Sequence, residues 1–175
     1  MDGLLFDSER IVQRSWEIAG DELGIPHMGN VIYHTLGMNR AGRNEYFRKY
    51  IREDFPFEEF GKLTRDNFWK IVDKEGLPLK KGAKELLAYG KSQGYKMAVA
   101  TSSSREYAMG NLIRAGIDSH FDSVVCGDMV KKAKPDPEIY QKACESLGIQ
   151  PEYCMAFEDA PGGILSAHQA GMQVI

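Results

Sequence analysis

Cysteine is scarce here: the 175 residues hold only Cys126, Cys144 and Cys154, and no two stand in a CxxC spacing. A sparse, odd set argues against a disulfide framework or a zinc site and suits a reducing cytoplasm. Histidine is equally thin, with His27, His34, His120 and His168 dispersed, each read as a surface or packing residue. No apolar run approaches the roughly 20 residues of a membrane span. Asp2, Asp7, Glu9 and Arg10 crowd the start, which is unlike a signal peptide. Excess positive charge is missing too. The formal net charge is −3 and the basic residues are scattered, so there is no electrostatic footprint for nucleic acid or an anionic membrane. Internal repeats and low-complexity segments are likewise lacking. The expectation is a cytoplasmic, monomeric protein that binds neither nucleic acid nor membrane.

What is present changes rhythm near residue 78. From Ser8 to Glu75 the pattern is helical. Ile11, Val12, Trp16, Ala19 and Leu23 recur at three- and four-residue steps, as one buried helix face requires. Asp7 or Ser8 would cap that helix and Gly24 would end it. Further helices are expected at about 28–36, 41–53 and 57–75. Tyr46, Phe47, Tyr50, Phe60, Phe68 and Trp69 supply aromatic mass, read as bundle packing rather than ligand binding. After Gly76-Leu77-Pro78, strands fit at about 96–101, 123–126, 154–157 and 173–175, with helices near 82–93, 105–115, 138–147 and 162–170. Strands alternating with helices indicate a parallel sheet flanked by helices, with the site at the strands' carboxyl ends.

Four segments carry chemistry. Thr101-Ser102-Ser103-Ser104 follows an apolar strand and precedes a helix. It reads equally as an anion cradle and as a helix cap. Lys134 lies in Lys134-Pro135-Asp136-Pro137, where two prolines stiffen its approach, Asp136 reads as an N-cap and Pro137 as the first helical residue. Lys131 and Lys132 read as solvated. Glu158-Asp159 closes another strand. Two acids at a buried strand end repel unless a cation neutralises them, and oxygen-only ligands suggest magnesium. The other reading is two capping acids facing water. Asp2-Gly3, at a sharp opening turn, is the fourth and is weak alone. Together they supply a carboxylate, hydroxyls, a fixed lysine and an acid pair, a set suited to phosphoryl transfer by positioning and electrostatics.

In this order, Met1-Asp2-Gly3-Leu4-Leu5-Phe6-Asp7-Ser8-Glu9, Val99-Ala100-Thr101-Ser102-Ser103, Lys134-Pro135-Asp136-Pro137 and Phe157-Glu158-Asp159-Ala160 resemble the four motifs of the haloacid dehalogenase superfamily. The branch is that of beta-phosphoglucomutase and the small sugar-phosphate phosphatases. The resemblance spans nearly the whole chain. It implies an α/β, Rossmann-like parallel core of residues 1–7 and 79–175 with a helical cap, residues 8–78, inserted between the first and second motifs. It also implies roles. Asp2 matches the aspartate that protonates the leaving group and then activates water, and its carbonyl would ligate Mg²⁺. Gly3, Ser102 and Ser103 would line the substrate, Thr101 would bond the phosphoryl oxygens, and Lys134 would steady the transferring charge. Asp159 would bind Mg²⁺ with Glu158 beside it, and Arg40, in the cap loop Gly37-Met38-Asn39-Arg40, would select the substrate, a small phosphorylated metabolite.

The family's attacking aspartate would stand immediately before Met1. The expectation is therefore a longer chain, with roughly five to eight further residues, mostly apolar and ending in aspartate, ahead of Met1. A further strand and helix would follow Val174-Ile175. The alternative is a pseudoenzyme. Where beta-phosphoglucomutase carries a cap histidine this chain has Val12, and where it carries a lysine before the loop glycine it has Leu36. Neither can supply a proton or grip a second phosphate, so hydrolysis through an aspartyl-phosphate is expected over isomerisation. A mutase is the enzymatic alternative, and a binding protein is the other if the nucleophile is truly absent.

Overall fold

The structure, a computed structural model, describes residues 1–35 and 40–175, with the side chains of Arg40 and Ala41 outside that description. It forms two compact units, one of Ser8–Gly76 and one of Met1–Asp7 with Leu77–Ile175.

Within Ser8–Gly76, α1 (Ser8–Glu22), α2 (Met28–Thr35), α3 (Arg40–Tyr50) and α4 (Phe57–Glu75) pack around one apolar centre. The periodic face of α1 supplies Trp16 and Ala19, which meet Met28, Ile32, Phe47, Phe55 and Phe60. Trp16 stands edge-on to Phe47 at 5.5 Å and to Phe60 at 5.6 Å, the arrangement that aromatic quadrupoles prefer. Gly24 turns left-handed with φ 68°, and the Ile25 N–H closes back on the Gly20 carbonyl at 2.8 Å, which ends α1. Glu17 accepts from the Gly29 N–H at 2.7 Å and so satisfies an otherwise orphaned amide of α2. Two of the expected core aromatics lie elsewhere. Tyr50 is 60% and Trp69 40% exposed. Tyr50 ends α3 and leans on Tyr46 with Lys49 over its ring, while Trp69 stands edge-on to Phe68 at 5.6 Å. Periodicity places residues on a face without saying how far that face extends.

The other unit is a parallel α/β core. Its elements are α5 (Ala83–Ser92), β1 (Ala98–Ala100), α6 (Arg105–Arg114), β2 (Ser123–Val125), α7 (Glu138–Leu147), β3 (Met155–Ala156), α8 (Pro161–Gln169) and β4 (Gln173–Val174). β1 pairs in parallel with β2, Val99 opposite Val124, and β3 pairs in parallel with β4, Ala156 opposite Val174. A helix crosses over within each pair, as parallel pairing demands. Val125, Ile139, Tyr140, Ala143, Ala156, Ala167 and Ala170 bury one another between strands and helices. The strands are shorter than the apolar runs that announce them. The opening segment is tied in by the Asp7 N–H to the Pro78 carbonyl and the Lys80 N–H to the Leu5 carbonyl, both 2.8 Å, and Phe6 is wholly buried.

Candidate active site

The carboxyl ends of β1 and β3 open into the two polar segments. Beyond β1, Thr101 continues the ladder, its N–H donating to the Val125 carbonyl at 3.0 Å, and its side chain is buried. Thr101 Oγ1 accepts from the Ser103 N–H at 3.2 Å. Ser104 is the N-cap of α6 and accepts from the Tyr107 N–H at 3.4 Å, while Asp128 accepts from the Arg105 N–H at 2.9 Å. The capping reading therefore holds at Ser104, and the amides of Arg105 and Tyr107 already have acceptors within the chain. Ser102 is exposed, and its carbonyl lies so close to Gly127 that a Cβ there would collide with it. Glycine at 127 lets the turn after β2 pass under the hydroxyl loop.

Asp2 is held by this loop. Ser103 donates to Oδ2 at 3.0 Å and Tyr107 donates to Oδ1 at 2.9 Å. Burial, and then the Asp2 charge, push the Tyr107 phenol well above its ordinary value, so it stays a donor at any physiological pH. Gly3, at φ 72°, sits against Asp159, and a Cβ at Gly3 would run into that carboxylate.

Lys134 projects to the same strand ends. Its Nζ donates to the Ala100 carbonyl at 3.2 Å, forms an ion pair with Glu158 Oε1, and lies 3.3 Å from the Tyr140 hydroxyl and 4.8 Å over its ring. The pair is nearly sealed, with side chains only 13% and 9% exposed. Tyr140 donates to the same Glu158 oxygen at 2.5 Å. Burial alone would raise the Glu158 carboxyl, but hydrogen bonds from Lys134 and Tyr140 outweigh it and hold the group below its usual range. Tyr140 is driven up by burial and then by Glu158. The loop carrying Lys134 is fastened by Glu138 in the first turn of α7. Its carboxylate accepts the N–H groups of Lys131 at 3.0 Å and Lys132 at 2.9 Å. The Lys131 amide first, then the Lys142 ammonium at 3.1 Å and the Lys132 amide, bring Glu138 down to about 2. The side chains of Lys131 and Lys132 are exposed, as expected. The cap of α7 shifts by one residue: Pro137 is the N-cap, and Asp136 acts from outside by accepting from the Glu138 N–H at 3.1 Å.

The acid pair is split. Glu158 turns inward to Lys134, whereas Asp159 is exposed beside Gly3. Among the described residues no three His, Cys, Asp or Glu side chains gather into a cage. That donor set still fits Mg²⁺, which takes one or two carboxylates and fills its octahedron with carbonyls, waters and substrate phosphate. Asp159 and the backbone of the opening turn are the oxygen donors at hand.

Asp2, Gly3, Ser103, Lys134, Glu158 and Asp159 are thus brought together at the strand ends, with Thr101 buried behind them. Leu36 and the loop Gly37-Met38-Asn39 lie outside the described residues, as does the side chain of Arg40. Val12 packs against the apolar centre of the helical unit. Sequence reasoning missed Tyr107 and Tyr140. A signal existed for the second, because a phenol on the buried face formed by Ile139, Tyr140, Ala143 and Cys144 needs a partner for its hydroxyl.

A parallel α/β core that gathers three carboxylates, an ion-paired lysine and a hydroxyl loop at its strand ends, with a helical unit inserted after the first site segment, defines a class of hydrolytic enzyme. The chain belongs to the haloacid dehalogenase-like hydrolase family, whose model matches residues 1–175. It is 32% identical over 99% of its length to a provisionally named phosphatase of Bacillus subtilis, covering 79% of that protein. It is 31% identical over its full length to the phosphorylated carbohydrates phosphatase of Thermotoga maritima, covering 81% of it. Among solved structures, a Thermotoga maritima protein provisionally named a beta-phosphoglucomutase superposes with a TM-score of 0.83 at 29% identity, over 99% of this chain and 81% of that one.

Proposed function

We propose that this hydrolase is a Mg²⁺-dependent phosphatase of small phosphorylated metabolites, sugar phosphates foremost, working through an aspartyl-phosphate. The observation that carries the reading is the gathering at the ends of β1 and β3 of two half-buried hydrogen-bonded pairs, Asp2 with Ser103 and Lys134 with Glu158. The names of the two phosphatase relatives point the same way.

In this reading an aspartate oxygen attacks phosphorus as the P–O ester bond breaks. Asp2 gives its proton to the departing oxygen. Asp2 then takes a proton from water, which attacks the acyl phosphate and releases inorganic phosphate. Ser103 and Tyr107, each donating to one carboxylate oxygen, fix the orientation of Asp2 for both proton transfers. Thr101 Oγ1 already accepts from Ser103, which leaves its own proton for a phosphoryl oxygen. Lys134, its charge kept in place by Glu158, offsets the equatorial charge of the transferring group. Asp159 and the Asp2 carbonyl would hold Mg²⁺. Bound there, the ion would neutralise phosphate charge and orient the group for in-line displacement.

Asp2→Asn in the full-length protein is expected to slow turnover by about 10²–10⁴-fold, the usual scale for losing a general acid–base group. Asp159→Ala is expected to abolish Mg²⁺-dependent turnover. Unchanged steady-state rates in both variants would remove the proposal.

A further inference from the structure

We infer that Tyr140 is a positioning residue for this site: its hydroxyl fixes Glu158 upon Lys134 and thereby sets where the lysine charge stands at the end of β1. The inference rests on the phosphatase reading for its kinetic consequence, but its geometry stands apart from that reading.

An ammonium has three protons and no acceptor. Lys134 has three oxygens within reach: the Ala100 carbonyl at 3.2 Å, the Tyr140 hydroxyl at 3.3 Å and Glu158 Oε1. The phenol oxygen accepts from Lys134 while its own proton goes to Glu158 at 2.5 Å. Lysine, tyrosine and glutamate thus close a triangle in which each group constrains the other two. Glu158 lies against α8 where Gly163 makes room for it, since a Cβ there would strike its carboxylate. Tyr140 has little room to retreat: it is only 5% exposed and packs into the apolar cluster of α7, α8 and the strands. One lysine charge is therefore held from below by a ring, from one side by a carboxylate, and at the strand end by a carbonyl.

The bland account of Tyr140 is a core aromatic whose hydroxyl found a convenient acceptor. It differs in one consequence. A packing residue acts through its ring, whereas a positioning residue acts through its oxygen. Tyr140→Phe keeps the ring and its contact with Lys134 and removes only the oxygen, so it separates the two.

The test uses the full-length protein in four forms: wild type, Tyr140→Phe, Glu158→Gln and the double variant. Two readouts are taken. The first is phosphate release from a hexose phosphate, resolved into kcat and KM. The second is hydrogen exchange of the Lys134 ammonium by nitrogen-15 NMR, with its signal assigned by loss in Lys134→Arg. Tyr140→Phe is expected to lower kcat about tenfold, the scale of one hydrogen bond to a charged group, with KM within about twofold. The double variant should be no slower than Glu158→Gln alone, because both act through one contact. Lys134 ammonium exchange should quicken in Tyr140→Phe. Wild-type kcat with unaltered ammonium exchange in Tyr140→Phe, or strictly additive losses in the double variant, would overturn the inference. Absence of phosphate release from the wild type would count against the phosphatase reading instead, and the ammonium exchange would then decide on Tyr140.

Discussion

Gly3 meets two demands at once. Its φ of 72° lies in the region where a side chain is strained, and the space where a Cβ would go is filled by the Asp159 carboxylate. Gly3→Ala should therefore cost stability of about 1–3 kcal/mol, the scale of one strained backbone position. It should also displace Asp159, and with it a proposed metal ligand. The check is a denaturant titration alongside Mg²⁺ binding by calorimetry. A variant that unfolds at the wild-type midpoint and binds Mg²⁺ undiminished would show that the opening turn has slack. An acid followed by glycine was legible as a turn. That Gly3 makes room for a residue 156 positions away was not, because such a clearance exists only once the strands are laid side by side. The same holds for the two tyrosines. Tyr107 meets Asp2 across 105 positions, and no local pattern encodes that partner.

At the scale of elements, α7 and the loop before it act as one device. Glu138 in the first helical turn takes the amides of Lys131 and Lys132, so the loop that ends in Lys134 is anchored by a charge on the helix it leads into. Its carboxyl drops from 4.5 to about 2, chiefly through the Lys131 amide. A depressed carboxyl stabilises the fold fully above its unfolded value of 4.5, and that contribution fades as the pH falls through about 2. The melting temperature of Glu138→Gln should thus lie below wild type by a constant amount above pH 4.5, and the gap should close as the pH approaches about 2. A gap that stays constant down to pH 2 would show that the Glu138 charge is not what fastens the loop. Element positions themselves were largely legible. The runs before Thr101 and Glu158 are short, apolar and bounded by polar turns, and Pro161 opens α8 where its missing N–H is harmless. Less legible were strand lengths and the cap of α7. Ladder bonds need a neighbour the sequence does not name, and Asp136 bonds the Glu138 amide from one residue further out than a cap.

Taken whole, the chain joins a helical unit held by Trp16 and its surrounding phenylalanines to a parallel core that carries every described site residue. The change of rhythm near residue 78 was visible because periods of 3.6 and of short strand–helix alternation differ over tens of residues. The division of labour between Glu158 and Asp159 was not, since adjacent acids look alike until one of them meets a lysine. The proposed chemistry of this core is hydrolysis of phosphate esters. The most direct measurement follows hexose and pentose phosphates by phosphorus-31 NMR with the full-length protein, with Mg²⁺ and then with excess chelator. The ester signal is expected to convert to inorganic phosphate with Mg²⁺ and to persist with chelator. Rapid appearance of a positional isomer with little free phosphate would contradict hydrolysis in favour of a mutase, and an unchanged spectrum across the panel would contradict it in favour of a binding protein.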